Sequence, residues 1–299
     1  VVESAVTFGA IYWASAWFDL TVDLRLIIAA LSVSASPAGI VRVANELRSA
    51  GQVTERVLHL CAINCLMSVI ALKVVVGYWY LSTSGDLVLA SFGSMYVVAI
   101  SLAVGCLLGV AVPWLLRRRS THERGVTVVF ALSVLLLTTA AYGLKLSPLL
   151  AALTFGIVAR ERRVHLTNAQ RDFGTGGDLL SVFLFVYIAS LLDWADVGTG
   201  MLLGCWLILV RTASKVGCNL LAARLSGITE RKGLLTGLAL TPMSAFAILL
   251  LEQSRLYGFA PAVQVLSVMA GMMLLQELLG PVVTQRTLMV AHETHVTKE

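Results

Sequence analysis

The chain is expected to fold as an all-α polytopic membrane protein of about ten transmembrane helices, arranged as an inverted repeat with two proline-broken helices. Three observations lead there. First, 58% of its 299 residues are hydrophobic and only 13% are charged, with a mean hydropathy of +0.86, against about 25% charged residues in soluble domains. Second, apolar runs recur that are long enough to cross a hydrocarbon core of roughly 30 Å. Third, two of these runs are interrupted in the same way, at Ser36-Pro37 and at Thr241-Pro242.

The spans are expected near residues 4–20, 24–47, 54–80, 86–116, 124–142, 147–160, 177–194, 198–223, 231–254 and 261–284. The fourth is long enough to tilt, and the sixth is short and borrows from its flanks. Connecting segments alternate in charge. Fifteen of the 22 basic residues, among them Arg117, Arg118, Arg119, Arg160, Arg162, Arg163 and Lys232, fall on one side. Arg25, Lys145 and Arg255 fall on the other, with Asp19, Asp23, Asp86, Asp193 and Asp196. Basic residues stay on the cytoplasmic side, so both termini are expected there, with the chain multi-pass in the cell inner (plasma) membrane. Contacts are then with the lipid bilayer, and the formal charge of +5 marks topology. No basic, aromatic-interleaved surface for nucleic acid is evident.

Proline removes a helical hydrogen bond and clashes with the preceding turn. At membrane depth the carbonyls it frees need partners, so such breaks persist only inside protein or beside a wet cavity. On the expected topology the second span runs inward and the ninth outward, as an inverted repeat requires. The first break carries Ser34, Ser36 and Pro37; the second carries Thr241, Pro242 and Ser244. The third span places Asn64 and Cys65 at its centre.

Charges within spans complete the candidate site. Arg211 and Lys215 are four residues apart and share a helical face; a structural ion pair and a functional role both fit Arg211, and Lys215 is close enough to the inner end to snorkel. Glu277 is the clearest intramembrane carboxylate of the tenth span, whereas Glu252 is interfacial beside Arg255. His59 reads as a packed neutral imidazole. The five cysteines lack metal-ligand spacing, and no nucleophile–base pattern stands out. No cofactor and no enzymatic activity are expected.

With these residues in place, the chain resembles the monovalent cation–proton antiporter superfamily, on its Kef-type and bacterial sodium–proton exchanger side. The likeness lies in Ser34 to Val41, Leu146 to Val158, Ser181 to Asp193, Arg211 to Gly217, Lys232 to Pro242 and Glu277 to Pro281, in collinear order. The resemblance implies exchange of Na⁺ or K⁺ for H⁺ by an elevator-like movement. It divides the chain into the first half of a transport core (1–80), a linker helix (81–116), scaffold helices for a homodimer (117–175), the second half of the core (176–290) and a cytoplasmic tail (291–299). It also implies about three further helices before Val1, which would leave the first repeat truncated here. Asn64 and Cys65 fall where the family carries its Asn-Asp or Asp-Asp pair, and Lys215 at the basic residue that pairs with that carboxylate. Cys65 is the main departure. Alkali cations favour hard oxygen ligands over a soft sulfur, and a neutral thiol offers them no charge. Two alternatives remain: a transport-inactive antiporter-like sensor or regulator, and an organic-anion carrier using Arg211 and Lys215.

Overall fold

The structure is a computed structural model describing residues 1–84, 87–118, 123–144, 146–161, 182–183, 186–187, 190, 194–243, 245–256 and 261–294. Among these residues the regular structure is helical, as the hydropathy pattern predicts. The helices are α1 (Val2–Ala14, followed by a 3-10 turn at Ser15–Phe18), α2 (Val22–Ser32), α3 (Pro37–Glu46), α4 (Gln52–Ser84), α5 (Leu87–Arg118), α6 (Glu123–Gly143), α7 (Pro148–Glu161), α8 (Trp194–Leu225), α9 (Glu230–Ala239), α10 (Ala245–Leu256) and α11 (Pro261–Val290). Most of the expected seventh span lies outside the described residues. Among the described residues, five stretches are long and apolar enough to cross a membrane: Val22–Glu46, Gln52–Trp79, Tyr96–Leu116, Leu202–Leu225 and Val268–Val290.

Both expected breaks are present. The second span divides into α2 and α3, and the ninth into α9 and α10. Local chemistry sets the restart of α3. Pro37 occupies its first turn, where a missing N–H costs nothing, and the Ser36 hydroxyl accepts the Gly39 N–H at 3.3 Å. Thr229 caps α9 in the same way through the Lys232 N–H, at 3.4 Å. The start of α4 is capped from the far end of the sequence. Glu293 accepts the N–H groups of Val53 and Thr54, each at 2.9 Å. A carboxylate there satisfies orphan donors and complements the helix dipole.

The chain divides into two compact units, Val1–Val76 with Ile188–Glu299, and Gly77–Tyr187. In the second unit α5, α6 and α7 pack around Val112, Leu137, Ala141, Leu146, Ala151 and Phe155. The first unit has α1 against α2 and α8, and α11 against α2, α3, α8, α9 and α10. One part of its core joins Ile40 and Val43 of α3 to Val53 and Val57 of α4, Leu235 and Ala239 of α9 and Leu288 of α11. In the first unit α8 and α9 make a close helix–helix seam. A Cβ at Gly237 would sit 2.6 Å from the Val216 Cα, and one at Gly233 would sit 2.7 Å from the Asn219 carbonyl oxygen. Small residues four apart let two backbones touch, and this contact delivers the second break to the side chains of α8.

Candidate functional site

The two breaks meet. Ser36 donates its backbone N–H to the carbonyl of Pro242 at 3.0 Å. Around this junction each carbonyl freed by the first break has a donor. Ser68 Oγ donates to Ala30 O at 2.8 Å, and Ser34 Oγ to Leu31 O at 2.8 Å. Arg211 Nε donates to Ser32 O at 2.8 Å, and its Nη2 donates to Ser34 O. Lys215 Nζ lies 3.3 Å from Val33 O, and Cys65 Sγ donates to Ala35 O at 3.2 Å. Six successive acceptors are accounted for, as burial demands. Arg211 also reaches the other break, donating through Nη1 to Thr241 O.

Arg211 is therefore a main-chain clamp. Its fully buried guanidinium holds both broken helices through a planar fork that lysine lacks. Cys65 has a comparable local role, as a donor that closes the first break.

Lys215 is also fully buried. Its Nζ lies 2.7 Å from Oε1 of Glu3 on α1, a residue 8% exposed. The other oxygen, Glu3 Oε2, has no hydrogen-bond partner among the described residues. Next to Glu3, Ser4 donates through Oγ to Asn64 Oδ1 at 2.8 Å, and Asn64 Nδ2 is likewise without a partner. One turn further along α1, the buried Thr7 accepts from Ser214 Oγ at 3.3 Å. In the same region the buried Ser32 hydroxyl is also without a partner among the described residues.

A cavity of about 390 Å³ lies beside the N-terminal part of α4 and the C-terminal end of α8, between Glu55, His59, Asn219, Ala222, Ser226 and Thr236. Asn219, which lines it, donates through Nδ2 to the main-chain carbonyl of Lys215 one turn earlier on α8, at 2.9 Å.

The structure thus gathers Ser34, Ser36, Pro37, Asn64, Cys65, Arg211, Lys215, Thr241 and Pro242 at one junction. Ser244 lies outside the described residues. Glu277 is not part of the cluster: it is exposed on α11, and the adjacent Gln276 is the buried residue. Span hydropathy indicates depth but not the facing direction of a side chain. The hydroxyls of Ser36 and Thr241 bond locally, to Gly39 N and Leu238 O. Sequence reasoning missed Glu3. Its available signal was the Glu3-Ser4-Thr7 pattern, which puts three polar residues on one face of an apolar helix.

The family profile described as sodium/hydrogen exchanger, transmembrane, matches residues 1–290. The chain belongs to the sodium/hydrogen exchanger family. This agrees with the resemblance drawn from its motifs and makes it a member of a family of membrane transporters. The exchanger fold is matched by the solved structure of the sodium proton antiporter MjNhaP1 from Methanocaldococcus jannaschii. The match has a TM-score of 0.72 at 15% identity and covers 97% of this chain and 76% of that one. No curated protein sequence matches this exchanger-family chain.

Proposed function

We propose that the chain is an integral membrane secondary transporter that exchanges a monovalent cation, Na⁺ or K⁺, for H⁺. The observation carrying this reading is the buried junction of two broken helices with Lys215 set against it. Broken helices meeting inside a bundle provide main-chain oxygens at depth. An intramembrane ionisable group held among them marks an ion pathway by default. Family membership supports the same assignment. The first unit carries the transport core, and helices within 117–175 form the scaffold of a homodimer. Both termini face the cytoplasm of the cell inner membrane, the side on which the cavity beside Asn219 lies.

The organic-anion alternative is weakened by Arg211, whose Nε and both Nη atoms are committed to main-chain carbonyls. The transport-inactive alternative draws on Cys65, which sits at the family's carboxylate position and donates to Ala35 O. The test is proton movement in proteoliposomes holding the full-length protein, read with a pH-sensitive dye after adding Na⁺, K⁺ or Li⁺. A cation-dependent proton flux is expected. Correctly inserted protein giving no flux with any of these ions across the physiological pH range would overturn exchange in favour of the inactive reading.

A further inference from the structure

We propose that Glu3 on α1 supplies the cation-binding carboxylate that position 65 lacks, and that Lys215 is the group that gives up the proton. This rests on the exchange reading above and names the site at which exchange occurs.

Three observations converge. Glu3 is the carboxylate paired with Lys215, at 2.7 Å, and both side chains are more than nine-tenths buried. Glu3 Oε2 is without a partner there, an expensive state for a charged oxygen unless a ligand or water serves it. The neighbouring Ser4 hydroxyl is bonded to Asn64, so the residue next to this carboxylate on α1 packs against the asparagine of the α4 polar pair. Hard alkali cations prefer such oxygens, one charged and the others neutral. Cys65 is excluded by the same chemistry and by its bond to Ala35 O.

The exchange step balances at this pair. The resting state is the Lys215 ammonium on the Glu3 carboxylate, with no net charge. An entering monovalent cation takes the carboxylate and displaces the ammonium. Lys215 releases one proton to water and remains as the neutral amine, so the pair with its bound cation again carries no net charge. Return of a proton to Lys215 reverses the step. One cation moves for one proton, and turnover is electroneutral. The charged and titratable groups facing Lys215 are Glu3 from α1, Cys61 and Cys65 from α4, and Arg211 and Cys218 from its own helix.

The test compares full-length wild type with Glu3→Gln, Glu3→Asp, Lys215→Gln and the double variant Glu3→Gln/Lys215→Gln, in proteoliposomes and by thermal unfolding with and without NaCl or KCl. Wild type should exchange at a rate unaffected by a clamped membrane potential, and the cation should raise its unfolding midpoint. Glu3→Gln should lose the cation-dependent shift and weaken apparent cation affinity by more than about tenfold, the scale of losing a charged ligand. Glu3→Asp should recover part of both. Lys215→Gln should keep the cation-dependent shift and lose coupled proton release. The double variant removes both buried charges together, so it decides the matter if Glu3→Gln does not fold; it should show neither shift nor flux. Absence of exchange in wild type would sink the exchange reading itself. Wild-type exchange persisting unchanged in a folded Glu3→Gln or double variant, or varying with membrane potential, would overturn the assignment to Glu3 and leave exchange standing.

Discussion

Arg211 donates from its guanidinium to Ser32 and Ser34 in one broken helix and to Thr241 in the other. One side chain on α8 therefore holds the junction that Ser36 and Pro242 make with their own backbones. The charge at this position serves main-chain carbonyls, which explains how a cation persists there at full burial.

Arg211→Ala should be among the most damaging single substitutions in the chain. It strands acceptors in both breaks, at a cost of about 1–3 kcal/mol for each carbonyl left without a donor. Arg211→Lys should rescue only part, because a single ammonium cannot reproduce the fork. Thermal unfolding of purified protein checks both. An unchanged midpoint in Arg211→Ala would contradict the clamp.

Cys65→Ser should be tolerated better than Cys65→Ala. Serine retains a donor for Ala35 O, whereas alanine leaves that carbonyl bare and should cost about 1–3 kcal/mol. A buried thiol also predicts slow labelling by a thiol reagent at Cys65 in the folded protein, compared with the same residue after denaturation. Mass spectrometry of the labelled protein reads this directly, and equal labelling before and after denaturation would argue against the assigned position.

Gly237→Leu should separate α9 from α8, since even a Cβ there falls 2.6 Å from the Val216 Cα. Backbone has no flexible end to yield, so the second break would move off Arg211. Folded yield should fall sharply, measured by fluorescence-detected size exclusion. The same change at Gly9, where an added Cβ meets nothing within 4 Å, serves as the control and should be mild.

Glu293→Ala should loosen the entry to α4. It removes the bonds to the Val53 and Thr54 N–H groups and to the Thr54 hydroxyl. Losing a helix cap costs about 0.5–2 kcal/mol, and amide exchange at Val53 and Thr54 should quicken selectively. Glu293→Gln, which keeps acceptor oxygen without charge, should fall between wild type and alanine.

Much of the frame was legible in one dimension because its causes are local. Apolar runs and the prolines at positions 37 and 242 act within a few residues of themselves. Hydropathy therefore predicts the helices, and the missing N–H groups predict where two of them break. Arg211 and Lys215 were identifiable for the same reason: cations inside apolar spans are costly enough to be conspicuous.

Which groups meet at that junction was decided by packing. Glu277 and Glu3 both lie in apolar helices, yet one is exposed and the other is buried against Lys215. The polar face of Glu3, Ser4 and Thr7 marks one side of α1, but only packing decides which neighbour each helix turns its face to. The Glu3–Lys215 contact joins residues separated by 212 positions, and the cap on α4 spans 240. At Cys65 the family resemblance implied a missing carboxylate. The tertiary contacts revealed the donor serving Ala35 and, one helix away, another carboxylate. Composition and proline chemistry set where the chain crosses and breaks; long-range burial set which polar atoms had to find one another.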